Sequence, residues 1–390
     1  MLGKSPTLFV LVLTVTFAFI VTPRLALAQT FTDLYNFCPS FPCADGSQPF
    51  SSLVMDSAGN LYGTTAAGGS SAYGVVFKVD SSRTESVLYN FTGLADGGRP
   101  FAGLLRDNNG MLYGTAVDGG AFSNGVVFRI DTANKETVLH SFRGGTTDGC
   151  FPYQSLVKDQ PGNFYGTTFA CGASNQGTVF RLGPKGKTTV LHSFKGGRKD
   201  GAYPFYGGLL MDAAGNLYGV TLKGGSANKG ALYKLTRKGV LTVLHSFAGR
   251  KKDGCYPQGI PLMDTSGNLY GTTEACGASD QGIVWKVSQK GAETVLHHFA
   301  GGSLDGANPT SGVLQDANGN LYGDTTIGGD VDTGTVYELS VNGTLTLLHT
   351  FEYTDGAFPY GGLLRDANGG LYGTASFGGA YYWGAVWSYK

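Results

Sequence analysis

The sequence predicts an all-β protein, a seven-bladed β-propeller, on three observations. A motif of the form Asn-Leu-Tyr-Gly-Thr returns seven times, with its glycine at positions 63, 114, 166, 219, 271, 323 and 373. The runs between turn signals are short, β-branched and aromatic, and none has a sustained helical period. The two ends of the chain match complementary parts of one repeat. A fixed period of about 50 residues is typical of solenoids and propellers.

Each repeat predicts a meander of four antiparallel strands, which we name A to D. In the fourth copy the apolar run 204–212 is strand A, and strand B begins at Leu217. Strand C covers 230–235 and strand D covers 241–247, with Gly-rich or Asp-rich turns between them. Radial packing of such sheets protects their edges. The predicted blades are about 45–92, 96–143, 148–195, 200–248, 253–300, 305–352 and 355–390, the last completed by residues 31–37.

The chain ends predict a closed ring rather than an open array. Residues 31–37 (FTDLYNF) match strand D, whereas 384–390 (GAVWSYK) match strand C. The last repeat therefore lacks a D strand, and the N-terminus has a spare one. Pairing the two completes the seventh blade, whereas an open solenoid needs distinct capping repeats.

The first 28 residues have the pattern of a cleaved signal peptide. Lys4 is followed by an apolar run from Leu8 to Val21, and Ala26-Leu27-Ala28 forms a small-residue cleavage site. The alternative is an uncleaved anchor, but this run of 14 residues is shorter than the roughly 20 needed to span a bilayer. We expect cleavage near Ala28 and a secreted or periplasmic, monomeric propeller over 29–390.

Charge excludes some partners. Without Lys4 and Arg24, 26 basic residues remain against 28 acidic ones, a net charge of about −2. A basic surface for nucleic acid is therefore not indicated. No later apolar run approaches spanning length, so we expect no membrane span in the mature chain.

The repeat resembles the GloVer tandem-repeat proteins, an exported bacterial family whose members often carry differing C-terminal anchors. The resemblance rests on the pattern DGxxP…GLLxDxxGNLYGTT…GG…GxVFxL…TVLHSF, which covers residues 31–390 seven times over. It implies a propeller-like repeat and brings no established activity. Because the sequence stops at Lys390 inside a strand, we expect a freely exported protein rather than an anchored one.

Repeated carboxylates are interpreted as turn devices. An Asp-Gly pair precedes each strand A, with a proline four positions after the aspartate. Asp accepts backbone hydrogen bonds in turns and Gly takes positive φ, so identical use in every repeat favours structure over a ring of cation ligands. Five of the six histidines occupy one position of strand D and are spread over five blades, so they do not converge on a zinc ion. We expect no metal and no cofactor.

The six cysteines predict three disulfide bonds. Cys150 and Cys255 share one position in the D–A loops, and Cys171 and Cys276 share one in the B–C loops. These loops emerge on the same face of a meander, which favours the pairs Cys150–Cys171 and Cys255–Cys276. Cys38 then pairs with Cys43. An even count in an exported chain supports this, and free buried thiols are the alternative.

Aromatic side chains on the same loop face predict a binding site. They follow the loop prolines or lie in the last B–C loop: Phe50, Phe101, Tyr153, Phe205, Tyr360, Tyr381, Tyr382 and Trp383. At low net charge such platforms suit neutral ligands such as glycans, whereas aromatics near strand starts more often pack between blades, which is the alternative.

Two functional hypotheses follow. The first is a non-catalytic exported binding propeller whose partner is a glycan or an extracellular protein. The second is an extracellular hydrolase or lyase in which Glu274 and Asp324, which break the repeat in neighbouring blades, act as an acid/base pair.

Overall fold

The computed structural model describes Gly3, residues 30–206 and residues 208–390. Apart from Gly3, the predicted signal peptide lies outside the described residues. Within them the chain forms strands and turns without any helix. Seven four-stranded antiparallel sheets follow one another around a ring, which confirms the predicted seven-bladed propeller.

The first four blades follow the N-terminal strand β1 (Phe31–Asn36). Blade 1 contains β2 (Val54–Met55), β3 (Leu61–Thr65), β4 (Val75–Val79) and β5 (Glu85–Asn90). Blade 2 contains β6 (Leu105–Arg106), β7 (Leu112–Ala116), β8 (Val126–Ile130) and β9 (Glu136–Ser141). Blade 3 contains β10 (Gly149–Cys150), β11 (Val157–Lys158), β12 (Phe164–Thr168), β13 (Ala170–Cys171), β14 (Thr178–Leu182) and β15 (Thr188–Ser193). Blade 4 contains β16 (Gly201–Ala202), β17 (Leu210–Met211), β18 (Leu217–Thr221), β19 (Lys223–Gly224), β20 (Ala231–Leu235) and β21 (Leu241–Ser246).

The remaining three blades complete the ring. Blade 5 contains β22 (Gly254–Met263), β23 (Leu269–Cys276), β24 (Ile283–Val287) and β25 (Glu293–His298). Blade 6 contains β26 (Gly306–Ala307), β27 (Leu314–Gln315), β28 (Leu321–Thr325), β29 (Ile327–Gly328), β30 (Thr335–Leu339) and β31 (Leu345–Thr350). Blade 7 contains β32 (Leu364–Arg365), β33 (Leu371–Ala375) and β34 (Ala385–Tyr389).

The N-terminal strand closes the ring as predicted. β1 pairs antiparallel with β34, with Phe31 opposite Tyr389 and Asn36 opposite Ala385. The sheet order β1-β34-β33-β32 therefore joins both ends of the chain in blade 7. β1 covers the edge of β34 and occupies the position that strand D has in the other described blades.

The repeated glycine of strand B is required by close packing. A Cβ on Gly63 would lie 2.6 Å from the ring of Phe77 on strand C, and one on Gly271 would lie 2.4 Å from Trp285. These rings are fully buried. The apolar cores combine neighbouring blades, as where Leu61 and Phe77 of blade 1 share a cluster with Val386 of blade 7.

Two series of repeated aspartates hold turns, one formed by Asp56 and its equivalents at the end of strand A and the other by the Asp-Gly pairs. Asp56 accepts hydrogen bonds from the backbone N–H groups of Ala58 and Asn60 and from the hydroxyl of Tyr62. Although burial opposes it, this set of bonds lowers the pKa of Asp56. Asp148, of the Asp-Gly series, accepts from the backbone N–H of Arg143 and pairs with His140 at 3.1 Å. Each series therefore ties a turn to a strand of the same repeat.

The D–A and B–C loops are joined on one face. In blades 3, 4 and 6 they form the two-stranded ladders β10–β13, β16–β19 and β26–β29, and in blade 5 they extend β22 and β23. The structure contains the three disulfide bonds Cys38–Cys43, Cys150–Cys171 and Cys255–Cys276. The latter two each join the paired loops of a single blade, as the loop geometry predicts.

Candidate functional site

Five of the predicted aromatic side chains form a continuous arc around the channel. Each follows the loop proline that begins strand A, so consecutive blades place their rings side by side. Neighbouring ring centroids are 5.0 to 5.5 Å apart in the order Tyr360, Phe50, Phe101, Tyr153, Phe205. We name these five residues the aromatic arc. All five are half-buried, so they are neither fully packed between blades nor fully exposed.

Tyr206 lies across the channel, and sequence analysis missed it. Its ring centroid is 4.1 Å from that of Phe205, 5.9 Å from that of Tyr153 and 6.5 Å from that of Tyr360. Blade 4 has eight positions from its loop proline to the strand-end aspartate, Pro204 to Asp212, whereas the other blades have seven. The extra residue lets the chain bulge inward at Tyr206, whose φ is +47°. The irregular spacing was the available signal.

A cavity of about 370 Å³ occupies the central channel. This size is within the range of small-molecule sites. Four members of the aromatic arc and Tyr206 line it, while Phe205 packs against Tyr153 and Tyr206. Residues from all seven blades contribute, and the lining residues described here carry no formal charge.

Buried polar groups without a protein partner lie in this lining. Gln154 is 3% exposed, and neither its amide nitrogen nor its amide oxygen has a hydrogen-bond partner among the described residues. The hydroxyl of Thr310, on a residue 6% exposed, is likewise unpaired within the described chain. A buried polar group without a partner costs about 1–3 kcal/mol. Such groups in a cavity wall are suited to form hydrogen bonds with a ligand, as donors or as acceptors.

Blades 5 and 6 interrupt the aromatic arc with polar side chains. Gln258 and Thr310 stand where the arc residues stand in the other blades. The amide nitrogen of Gln258 donates a 2.6 Å hydrogen bond to Glu274. Burial raises the pKa of Glu274, and the bond from Gln258 partly offsets the rise. We name the set Gln258, Glu274, Thr310, Ser311 and Asp324 the polar arc.

Asp324 is buried behind the channel wall. It is 1% exposed and accepts a hydrogen bond from the hydroxyl of Ser311. Burial raises its pKa to about 7, against the opposing effect of that bond. Most other blades have threonine at this position, as Thr272 in blade 5, whose hydroxyl bonds to the carbonyl of Ser311 at 2.5 Å.

The structure gives Glu274 and Asp324 different hydrogen-bond partners. Glu274 is bound to Gln258 of its own blade, whereas Asp324 is bound to Ser311. Ser311 also lines the cavity. Each carboxyl group is therefore held by its own repeat, and the acid/base pair stays a prediction.

The three aromatic residues of the last B–C loop stand apart from the cavity. Tyr381, Tyr382 and Trp383 are 44%, 63% and 40% exposed. The ring of Tyr382 is 6.1 Å from that of Tyr353, also in blade 7. The described cavity lining does not include these three residues. They form a separate surface feature of the loop face, and their part in binding stays a prediction.

Fold and cavity together define a seven-bladed β-propeller with a central, mixed aromatic and polar chamber. The chain belongs to the Gloeobacter/Verrucomicrobia repeat family, whose profile matches residues 24–209 and 205–390. Comparison with curated protein sequences gave no match. Within the described residues, no helix is long and apolar enough to cross a membrane.

Solved structures share the fold at low sequence identity. The extracellular domain of a candidate one-component system from B. thetaiotaomicron aligns with a TM-score of 0.54 and 11% identity, over 92% of this chain and 40% of that one. A candidate 6-phosphogluconolactonase from Bacteroides uniformis aligns with a TM-score of 0.52 and 16% identity, over 81% and 88%. A gluconolactonase from Xanthomonas campestris aligns with a TM-score of 0.45 and 12% identity, over 92% and 88%. At such identities the similarity concerns the fold alone.

Proposed function

We propose that this protein is an exported, non-catalytic binding propeller that holds a small neutral carbohydrate in its central cavity. One observation carries the proposal: aromatic rings and buried, unpaired polar groups line the same uncharged cavity. Sugars have apolar C–H faces that pack on aromatic rings and hydroxyl groups that bond to amides and hydroxyls. Tyr153 offers the ring, while Gln154 and Thr310 offer the polar atoms.

Disulfide bonds support the exported location. All six cysteines are paired, and disulfides persist in oxidising compartments outside the cytosol. An extracellular or periplasmic protein meets free sugars and glycan ends there. The uncharged lining also argues for a neutral ligand, since a charged one would enter a partly desolvated space without a counter-charge.

A glycan-array screen of the mature chain, residues 29–390, tests this proposal. We expect binding by the unmodified protein and its loss, by at least about thirtyfold in affinity, in Tyr153→Ala, because truncation of a central aromatic anchor costs about 2 kcal/mol or more. The Tyr382→Ala/Trp383→Ala double variant is the matched control, since it removes aromatics of the same face outside the cavity.

Loss of binding in the control with retention in Tyr153→Ala would move the site to the last B–C loop. Absence of glycan binding by all three proteins would contradict the carbohydrate proposal and favour an extracellular protein partner.

A hydrolase or lyase is the second candidate. The observation that favours it is the pKa of Asp324, which burial raises to about 7, since a carboxyl group that holds its proton near neutral pH can act as a general acid. Burial also raises the pKa of Glu274. Turnover of a glycoside or lactone panel, abolished in Glu274→Gln and in Asp324→Asn, would support it. Equal turnover by either variant would contradict it.

A further inference from the structure

The outer rim of the propeller repeats one contact in every blade. A tyrosine or histidine of strand D faces the aspartate of the following Asp-Gly pair. Four histidines are within 3.2 Å of their aspartate: His140, His192, His297 and His349. These are ordinary hydrogen-bond distances. In these four blades the contact acts as a structural tie between strand D and the loop that follows it.

His245 departs from this pattern. Its Nε2 is 3.7 Å from Asp253 and 3.6 Å from Glu293 of blade 5, beyond normal hydrogen-bond length. Both His245 Nε2 and Glu293 Oε1 are buried atoms with no hydrogen-bond partner in the described part of the chain. The three side chains are only 12–16% exposed. An imidazole nitrogen is thus directed into a small space between two carboxylates without bonding to either.

The neighbouring blades supply internal comparisons. Where blades 1 and 2 have a carboxylate in the place of Glu293, namely Glu85 and Glu136, the residue facing the aspartate is a tyrosine. His140 of blade 2 has Thr188 beside it in the place of Glu293. His192 of blade 3 has Leu241 in that place. Among the described residues, a histidine with two carboxylates whose ligand atoms lie within 4.8 Å of one another occurs at this boundary alone.

We propose that His245, Asp253 and Glu293 bind a divalent transition-metal ion, Zn²⁺ being the natural choice. One imidazole and two carboxylates are a donor set that zinc accepts, and three protein ligands leave a fourth position for water. Bonds of about 2.0–2.2 Å in a tetrahedral site place ligand atoms about 3.3–3.6 Å apart. The 3.6 and 3.7 Å separations need only a small closing movement to reach this. Imidazole disfavours calcium and magnesium, which prefer oxygen ligands.

Backbone hydrogen bonds hold the carboxylate of Asp253 in place. Asp253 accepts hydrogen bonds from the backbone N–H groups of Ala248 at 2.5 Å and Gly254 at 2.7 Å, which fix its carboxylate. The cationic neighbours Arg250, Lys251 and Lys252 are exposed rather than in the pocket. Two carboxylates balance the charge of a divalent ion.

A bound ion would join strand D of blade 4 to strand D of blade 5. The D–A loop that carries Asp253 is already joined to the B–C loop of blade 5 by the disulfide bond Cys255–Cys276, which starts two residues after Asp253. The ion would therefore reinforce one boundary between two blades. This boundary site lies at the outer rim of the propeller, away from the central cavity. The proposal is independent of the carbohydrate site.

Calorimetric titration of ZnCl₂ into untagged mature protein, stripped of metal with a chelator, tests the site. We expect one equivalent of Zn²⁺ per chain and a higher melting temperature with zinc. His245→Tyr reproduces the arrangement of blades 1 and 2, so it should fold, lose at least a hundredfold in affinity and lose the thermal shift. Glu293→Gln should lose at least tenfold.

His192→Tyr is the matched control, because it makes the same exchange at the same strand position beside Asp200, where Leu241 replaces the second carboxylate. It should keep the zinc affinity of the unmodified protein. No binding by the unmodified protein, or equal affinity in His245→Tyr, would overturn the proposal. Tyr89→His, beside Asp96 and Glu136, should gain a second equivalent, and failure to do so would show that these three residue types are not sufficient.

Discussion

The aromatic arc and the polar arc lie in different blades of the same ring and differ in what they offer a ligand. The aromatic arc joins five blades through ring contacts of 5.0–5.5 Å. The polar arc replaces those rings with Gln258 and Thr310 and adds two carboxyl groups of raised pKa. Since the fold needs only the repeat, departures from it mark the residues that are free to serve binding. Of the polar arc, Thr310 and Ser311 reach the cavity wall, where they interrupt the aromatic lining.

The largest stability effect should come from restoring the repeat at Asp324. Asp324→Thr introduces the residue found in most other blades and removes a fully buried carboxyl group. Burial holds its pKa at about 7 in the folded state, above the ordinary value of 3.8. Below pH 3.8 the carboxyl group is protonated in both states, so the raised pKa does not change the free energy of unfolding. Above pH 7 it lowers the free energy of unfolding by its full effect, so stability is lost as pH rises between these values.

We therefore expect Asp324→Thr to stabilise the protein by about 2 kcal/mol at pH 8, and by progressively less as pH falls below 7. Urea unfolding at pH 5 and pH 8 measures this. Equal gains at both values would contradict the assigned cause. Asp324→Asn is the control. Asparagine removes the charge without introducing the threonine hydroxyl that bonds to a carbonyl group in other blades, so it separates the effect of charge from that of the restored repeat residue.

A smaller stability gain with a loss of binding is expected for Gln154→Leu. This change replaces an unpaired buried amide with an apolar side chain of similar size, which should stabilise the protein by about 1 kcal/mol. The same change should weaken sugar binding at least tenfold. Thermal unfolding and calorimetry on one preparation measure both quantities. A destabilised variant with unchanged affinity would mean that the amide serves the fold.

Glu274→Gln should have a weaker, pH-dependent effect. Burial raises the pKa of Glu274, so its ionisation in the folded state costs stability as pH rises, and glutamine removes that cost. A gain of less than about 1 kcal/mol at pH 8 is expected, because glutamine can still accept the bond from Gln258. Denaturant midpoints from pH 4 to pH 8 should converge towards low pH. A gain that grows as pH falls would contradict this sign.

The smallest effect should come from opening the channel. Tyr206→Gly removes the ring that crosses the cavity and supplies a residue suited to the φ of +47°. Lost packing and relieved strain should nearly cancel in stability. Stopped-flow fluorescence with a labelled sugar should show faster association and faster release. Slower association would mean that Tyr206 guides the ligand rather than covering the site.

Sequence reasoning was most successful where the repeat itself holds the information. The seven-bladed ring and its closure by β1 are confirmed because strand periodicity and matching ends depend on local patterns. The loop cysteines pair within their blades for the same reason. Contacts between side chains of different blades were harder to predict from the sequence. Tyr206 crosses the channel because of one inserted residue, which appears only as an eight-residue spacing from Pro204 to Asp212.

The proposed metal site at the outer rim shows the same difficulty. His245, Asp253 and Glu293 are separated by 8 and 40 residues and meet because neighbouring blades pack side by side. The expectation of no metal considered the repeated aspartates and the histidines as two separate sets of ligands. It did not consider one histidine together with two carboxylates of the following repeat. Alignment of the seven repeats, with attention to residues one blade apart, would have revealed the combination.

A crystal structure of the mature protein with the sugar selected by the array tests the central claim most directly. We expect a sugar in the central cavity, with a ring face against Tyr153 and a hydroxyl within hydrogen-bond distance of the Gln154 amide. A sugar bound instead at Tyr382 and Trp383, with the cavity holding only water, would contradict it.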